Sequence, residues 1–334
     1  MTVLAAQDGS NFVDLAVEPW HWAILLGIVL VLLLVDLLVL HREAHEIKPR
    51  EAAIESAAWV SIGLAFSLLV WLWFGAAATT EYLSGYLVEQ SLSIDNVFVW
   101  AIILSYFAVP AMYQHRVLFW GIFGALVLRA TFIFAGVALI ERFDWVLYVF
   151  GAFLLFTAVR LLLADEDEQI DPGNSRFLRL VNRAVPSTPE LHGARLFVRI
   201  NGRRLATPLF AVLVLVELTD LIFAVDSVPA VLAVSHEQFI VFSSNAFAIL
   251  GLRSMYFLLA DLHGRFRFLQ QGLAVILAFV GVKMLIAEWV QIPTWVSLVV
   301  IAVVLVVAIV ASLRFPPPLH DDSVEASTPA SGRG

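Results

Sequence analysis

The chain contains no cysteine, and only 14% of its 334 residues are charged. Without cysteine it has no disulfide framework, no thiolate metal site and no thiol chemistry, and redox compartment cannot be read from it. Soluble domains carry about 25% charged residues. The shortfall, with 61% hydrophobic residues and a mean hydropathy of +0.89, excludes an ordinary soluble fold. A basic footprint is also missing: the net charge is −8, which argues against nucleic acid as a partner. That charge is not a surface field either, because several acids fall inside apolar runs and others cluster at 165–168. No hydrolase or phosphoryl-transfer motif is present, so the chain does not read as an enzyme and implies no cofactor. The segment before Pro19 lacks the pattern of a cleavable signal peptide.

What is there is a series of long apolar runs. A window of about 20 residues, the length that crosses a bilayer, gives about nine spans. They fall near 20–40, 57–78, 84–107, 117–140, 145–164, 208–234, 239–260, 268–288 and 294–313. The expectation is an all-α, polytopic transmembrane helix bundle. Arginine and lysine fix its orientation. Arg42, Lys48 and Arg50 follow span one, Arg116 follows span three, and seven arginines lie between Arg176 and Arg204. Arg265 and Arg267 follow span seven and Arg314 closes span nine, all on one face; the other face has only Arg142. By the positive-inside rule the chain sits in the cytoplasmic membrane with its N-terminus outside and its C-terminus in the cytoplasm. Residues 1–18 then form an extracytoplasmic N-terminus, 19–314 the transmembrane domain, and 165–207 a cytoplasmic loop. The loop's arginines alternate with Phe177, Leu180, Val181 and Phe197, which suits a surface-lying helix or a contact with membrane protein partners. The Pro-rich, polar tail 315–334 reads as disordered. Trp20, Trp22, Trp71, Trp73, Trp289 and Trp295 suit interface anchoring in the lipid bilayer. His115 and His263, at cytoplasmic ends, read as solvated.

The stretch that organises the chain is Glu217-Leu-Thr-Asp220-Leu-Ile-Phe-Ala-Val-Asp226-Ser227-Val-Pro229. Each acid at a membrane centre costs about 2.5–3.5 kcal/mol on insertion scales, so the acids need partners or ligands. Glu89-Gln-Ser-Leu-Ser-Ile-Asp95-Asn96-Val97 repeats the device, with Glu89 on Asp220 and Asp95 on Asp226. The repeat continues as Gly124-Ala-Leu-Val-Leu-Arg129 against Ala248-Ile-Leu-Gly-Leu-Arg253. It then pairs Leu155-Phe-Thr-Ala-Val-Arg160 with Ala278-Phe-Val-Gly-Val-Lys283. Spans three to five thus match spans six to eight. Three helices per unit make the second unit enter from the opposite face, the inverted repeat of secondary transporters with a midplane site.

Asp95, Asn96, Asp226 and Ser227 offer oxygen only, and no histidine lies in the nearby spans, a set suited to hard divalent cations. Six residues of ideal helix turn about 240° and rise about 9 Å. Glu89 and Asp95, or Asp220 and Asp226, therefore cannot share a helix face. Either they are successive stations, or the helices break; Pro229 favours a break in span six and would free the Val225 carbonyl as a ligand. Glu89, Glu217 and Asp220 read as site acids or as salt-bridge partners of Arg129, Arg253 and Lys283. Those three cations in turn read as counter-charges, with anion binding the alternative. Asp36 in span one is a site acid or a helix-pairing one, and Asn245 is a ligand or an interhelical hydrogen bonder.

Ser93-Ile-Asp-Asn-Val-Phe-Val-Trp-Ala101, Tyr113-Gln-His-Arg-Val-Leu-Phe-Trp-Gly121, Thr219-Asp-Leu-Ile-Phe-Ala-Val-Asp-Ser-Val-Pro229 and Ser244-Asn-Ala-Phe-Ala-Ile-Leu-Gly-Leu-Arg253 resemble the TerC family, nearest its Alx-like branch. The resemblance covers nearly all of residues 20–314. It implies a transporter of the LysE-type superfamily, associated with manganese efflux and historically with tellurite resistance. By position it carries the family's acidic motifs onto Glu89, Asp95, Asn96, Glu217, Asp220 and Asp226, with Asp36 as the first-span acid. The expected function is export of a divalent cation, foremost Mn²⁺. The alternatives are an oxyanion (tellurite-type) transporter or a membrane scaffold and assembly factor. Reporter fusions test the topology: after residues 50, 185 and 325 they should report cytoplasm, and near 236 the outside. A cytoplasmic signal at 236 would rule out the inverted repeat.

Overall fold

The computed structural model describes residues 12–40, 48–143, 145–163, 193, 195–200, 203–259, 268–287, 289–290 and 292–314. The acidic cluster 165–168, most of the 165–207 loop, His263 and the tail 315–334 lie outside them. Helix α1 (Pro19–Val35) starts on Pro19, where a missing N–H costs nothing, and the Glu18 and His21 side chains close a reciprocal capping box. It runs on into a π turn, Asp36–Leu40. Helix α2 (Pro49–Tyr106) has 58 residues, roughly 87 Å if straight and far more than a bilayer's ~30 Å. Gly75 divides it: its φ of 84° and ψ of −172° are open to glycine and strained for any residue with a Cβ. The halves, 49–74 and 76–106, lie side by side, with the Tyr82 hydroxyl donating to the Gly63 carbonyl at 2.8 Å.

Helices α3 (Ala111–Arg142) and α4 (Trp145–Leu163) follow. A two-stranded antiparallel hairpin, β1 (Phe197–Ile200) and β2 (Arg203–Ala206), then leads into α5 (Pro208–Leu232). Thr207 fixes that junction by donating its hydroxyl to the Arg195 carbonyl at 2.7 Å. Helices α6 (Gln238–Leu250) and α7 (Leu252–Leu259) are parted at Gly251, and α8 (Leu269–Leu285) and α9 (Thr294–Arg314) complete the order. Among the described residues seven helical runs are long and apolar enough to cross a membrane: α1, α2, α3, α4, α5, α6 with α7, and α9; α8 is a shorter apolar helix. The chain is an all-α, polytopic helix bundle.

One expectation from the sequence needs correction. Helix α5 does not break at Pro229. The proline lies in the last turn and only one ladder bond is lost there, so the helix continues to Leu232. The six-residue spacing of Asp220 and Asp226 therefore separates two positions on one continuous helix. Helices α4 and α8 meet backbone to backbone: a Cβ on Gly151 would lie 3.0 Å from the Gly281 carbonyl, and one on Gly281 would lie 2.8 Å from that of Gly151. The contact is reciprocal, since Gly151 also meets Leu285 and Gly281 meets Leu155, each four residues onward. Gly151 and Gly281 are 130 residues apart, close to the 131 of the acid pairs, whereas Arg160 and Lys283 are 123 apart. The offset of Arg160 and Lys283 is instead close to the 124 residues that separate Arg129 and Arg253. Around this pair, α2 packs on α6 and α3 packs on α5.

At the end of the bundle where α5 turns into α6, residues 12–18 form a strap. The Val13 N–H donates to Glu81 Oε1 at 2.9 Å and the Leu15 N–H to Glu237 Oε1 at 3.0 Å. Ser235 donates to the other Glu81 oxygen at 2.7 Å. The Phe12 ring sits 4.1 Å from that of His236, with the Lys283 ammonium 5.5 Å above it. Burial, and then the Lys283 charge, pushes the His236 imidazole down from 6.5 to about 4. A base whose folded pKa is depressed is neutral in the fold and protonates more readily unfolded. Its contribution is therefore whole above pH 6.5 and lost as pH falls toward 4, by up to about 3 kcal/mol. The unfolding midpoint of the purified protein should fall between pH 7 and 5, and His236→Gln should flatten that slope. An unchanged slope in the variant would clear His236 of the effect.

Candidate functional site

Two turns of helix place the first half of the site. Glu89, Ser93 and Asn96 stand at i, i+4 and i+7 of α2, one face of a regular helix. Asp220 and Ser227 stand at the same seven-residue spacing on α5. Arg129 comes from α3 and Asn245 from α6. Small residues let these helices close up. Gly121, Gly124 and Gly136 of α3 face α5, and Gly85 of α2 faces Ser244 of α6.

The polar groups meet at the Arg129 guanidinium. Nη1 donates to Glu89 Oε1, to Ser227 Oγ at 3.1 Å and to Asn245 Oδ1 at 3.2 Å. Nε lies 3.8 Å from Asp220 Oδ2, an ion pair without a hydrogen bond. Asn245 Nδ2 donates to Glu89 Oε2 at 2.9 Å, Ser93 to Glu89 Oε1 at 3.0 Å, and Asn96 Nδ2 to Asp220 Oδ1 at 3.3 Å. None of these residues is more than 2% exposed, so the charges are fully desolvated and each needs the others. Four atoms in the cluster remain without a hydrogen bond among the described residues: Arg129 Nε and Nη2, Asp220 Oδ2 and Asn96 Oδ1.

Beside the cluster lies a cavity of about 60 Å³, room for a few waters or a partly hydrated cation. Leu92, Asn96, Thr157, Asp226, Ser227 and Leu277 are among its walls. Asp226 Oδ1 accepts from Thr157 Oγ1 of α4 at 3.0 Å. Asn96 and Ser227 belong to both places, so the Arg129 cluster and the Asp226 cavity are adjoining stations. Glu217, one turn before Asp220, fits its carboxylate into the space that a Cβ at Gly124 would take, and its Oε2 has no hydrogen bond among the described residues. The backbone of Asp95 lies in α2; its side chain is outside the described ones.

Asp36 takes a different partner. The π turn at the end of α1 directs it to Arg253 of α7, which donates to Asp36 Oδ1 in a second buried ion pair. Lys283 donates to Ser297 at 3.0 Å and, among the described residues, meets no site acid at hydrogen-bonding distance. Sequence reasoning omitted Ser93 and Thr157. Ser93 was legible as the i+4 neighbour of Glu89, whereas Thr157 sits in an apolar motif that carries no signal of facing α5. Among the described residues no three histidine or acidic side chains gather into a ready-made metal cage. The arrangement offers a convergence of oxygens on one buried cation, next to a small cavity with a carboxylate of its own.

Comparison with known proteins bears on this geometry. The pattern described as the integral membrane protein TerC family matches residues 74–317. An uncharacterized membrane protein of Myxococcus xanthus is 51% identical over 296 residues, covering 89% of this chain and 92% of its own. The "putative membrane-bound redox modulator Alx" of Escherichia coli K12 is 48% identical over 302 residues, covering 87% and 94%. An uncharacterized membrane protein of Rickettsia bellii is 38% identical over 292 residues, covering 87% and 96%. No solved structure matches the chain. The helix bundle, its buried acid motifs and these relatives agree: the chain belongs to the TerC family of integral membrane proteins.

Proposed function

We propose that the protein exports a hard divalent cation, foremost Mn²⁺, from the cytoplasm through the paired stations at Arg129 and Asp226. It does so as a multi-pass protein of the cytoplasmic membrane with its N-terminus outside, crossing the bilayer nine times. The observation that carries this reading is the convergence of Glu89, Asp220, Asn96, Ser227 and Asn245 beside the Asp226 cavity. Every ligand on offer is a carboxylate, amide or hydroxyl oxygen, the donor set of Mn²⁺, Mg²⁺ and Ca²⁺. Charge supports the cation over its rival. An oxyanion would need the Arg129 guanidinium, which Glu89 already neutralises, and Asp220 and Asp226 would repel it. The redox wording in a relative's name finds no thiol here, since the chain has no cysteine.

Growth supplies one test: cells lacking the protein should become sensitive to Mn²⁺ before Zn²⁺ or Cu²⁺. Equal sensitivity to all three would point to general membrane damage and against this reading.

Substitution supplies another. Asp226 is hydrogen-bonded to a hydroxyl, and the one cation that acts on it, Arg160, is exposed, so Asp226→Asn strands no buried guanidinium. Membrane abundance should hold while Mn²⁺ efflux from loaded vesicles falls at least about 10-fold, the equivalent of ~1.4 kcal/mol; Asp95→Asn should lose efflux likewise. Glu89→Gln instead leaves Arg129 short of a partner in a buried site and should destabilise by about 3–5 kcal/mol. Normal efflux by both Asn variants would exclude the site.

A further inference from the structure

Resting on the cation reading of this site, we propose that Arg129 is a tethered competitor of the transported ion. It occupies the ion's place in the empty protein, and Glu217 is the carboxylate that receives it when the ion enters.

The geometry of the guanidinium is the first ground. Arginine is a flat fork with five N–H donors, and a purely structural arginine in a buried site satisfies them by paired, bidentate contacts. Arg129 does not. Three acceptors, from Glu89, Ser227 and Asn245, crowd onto Nη1, which has two hydrogens to give. Nη2 and Nε make no hydrogen bond among the described residues, although the residue is 1% exposed. Oxygens drawn to one point from three helices suit a point charge rather than a fork. Asp220 Oδ2, 3.8 Å from Nε, and Asn96 Oδ1, whose amide donates to Asp220, have no hydrogen bond among the described residues and add two further ligand oxygens to the cluster.

The second ground is exclusion. A divalent cation and a guanidinium cannot share that point, because like charges at contact in a low-dielectric interior repel strongly. Entry of the ion must therefore move Arg129. One acid lies ready. Glu217 stands three residues before Asp220 on the same helix, about 4.5 Å along its axis. Its carboxylate rests against Gly124, five residues before Arg129 on α3, and its Oε2 has no hydrogen bond among the described residues. Helical side chains lean toward the N-terminus of their own helix, so the swing from Asp220 to Glu217 follows the direction in which Arg129 already points. In the loaded state Glu89 and Asp220 balance the divalent ion and Glu217 balances Arg129. When Arg129 returns, it displaces the ion across Asn96 and Ser227 into the Asp226 cavity.

Glu217→Gln and Arg129→Gln, purified in nanodiscs, separate this exchange from simple ligation. Mn²⁺ binding is read by calorimetry and Mn²⁺ flux in proteoliposomes. Glu217→Gln leaves the resting cluster intact, so it should unfold at the wild-type temperature while binding Mn²⁺ about 10-fold more weakly. Arg129→Gln should bind Mn²⁺ about 10-fold more tightly yet transport at least about 10-fold more slowly, because nothing expels the ion. In the double variant the Glu217 penalty should vanish. Wild-type Mn²⁺ affinity in Glu217→Gln overturns the proposal by itself, even if Arg129→Gln fails to fold. A Glu217 penalty of equal size in both backgrounds overturns it too, by making Glu217 a direct ligand. Absence of Mn²⁺ binding to the folded wild type would instead sink the cation reading on which it rests.

Discussion

Everything in the bundle's centre depends on one constraint: a guanidinium and two carboxylates are buried together where water cannot reach them. Arg129, Glu89 and Asp220 come from three helices, and Asn245 brings in a fourth. Separating any of these helices leaves a charge in a medium where it costs several kcal/mol. Buried ion pairs of this sort add little net stability, since desolvation consumes most of the attraction. What they fix is register, because a shift of one residue on α2 or α5 would carry Glu89 or Asp220 off the face that meets Arg129. The second pair, Asp36 with Arg253, applies the same constraint between the end of α1 and α7.

Much of this was legible in the sequence, for a physical reason. A bilayer imposes length and apolarity on every span, so the helices stand near where the runs placed them. It also penalises stray charge, so Glu89, Asp95, Asp220 and Asp226 stood out at once. Residues whose role depends on a neighbouring helix were harder to read. Asp36 left site and pairing equally open until the π turn directed it to Arg253. Pro229 suggested a break because its rule is local, yet its place in the last turn of α5 makes the lost bond cheap. The backbone contact of Gly151 with Gly281 was hidden as well, because neither apolar motif says which helix it will meet. The strap was invisible for a related reason. Its ties are backbone N–H groups, and no side-chain pattern announces which carboxylate they will find.

The strap and the central cluster share a design in different chemistry. At the centre a side-chain cation satisfies buried acids; at the end of the bundle the Val13 and Leu15 amides satisfy Glu81 and Glu237. Amides are neutral and their bonds break at modest cost, whereas the guanidinium carries full charge. The two ends of any pathway between them are thus held with unequal strength.

Gly151 and Gly281 have a consequence beyond helix packing. Thr157 and Leu161 line the Asp226 cavity from α4, and Leu273 and Leu277 line it from α8, the two helices that touch at these glycines. The separation of those walls is therefore set where two backbones meet, with Leu155 and Leu285 packed beside the contact. It works as a caliper: a methyl group added at either jaw would meet a carbonyl at 3.0 Å or less and press the two helices apart. The width of the cavity beside Asp226 is thus written in two residues that do not line it.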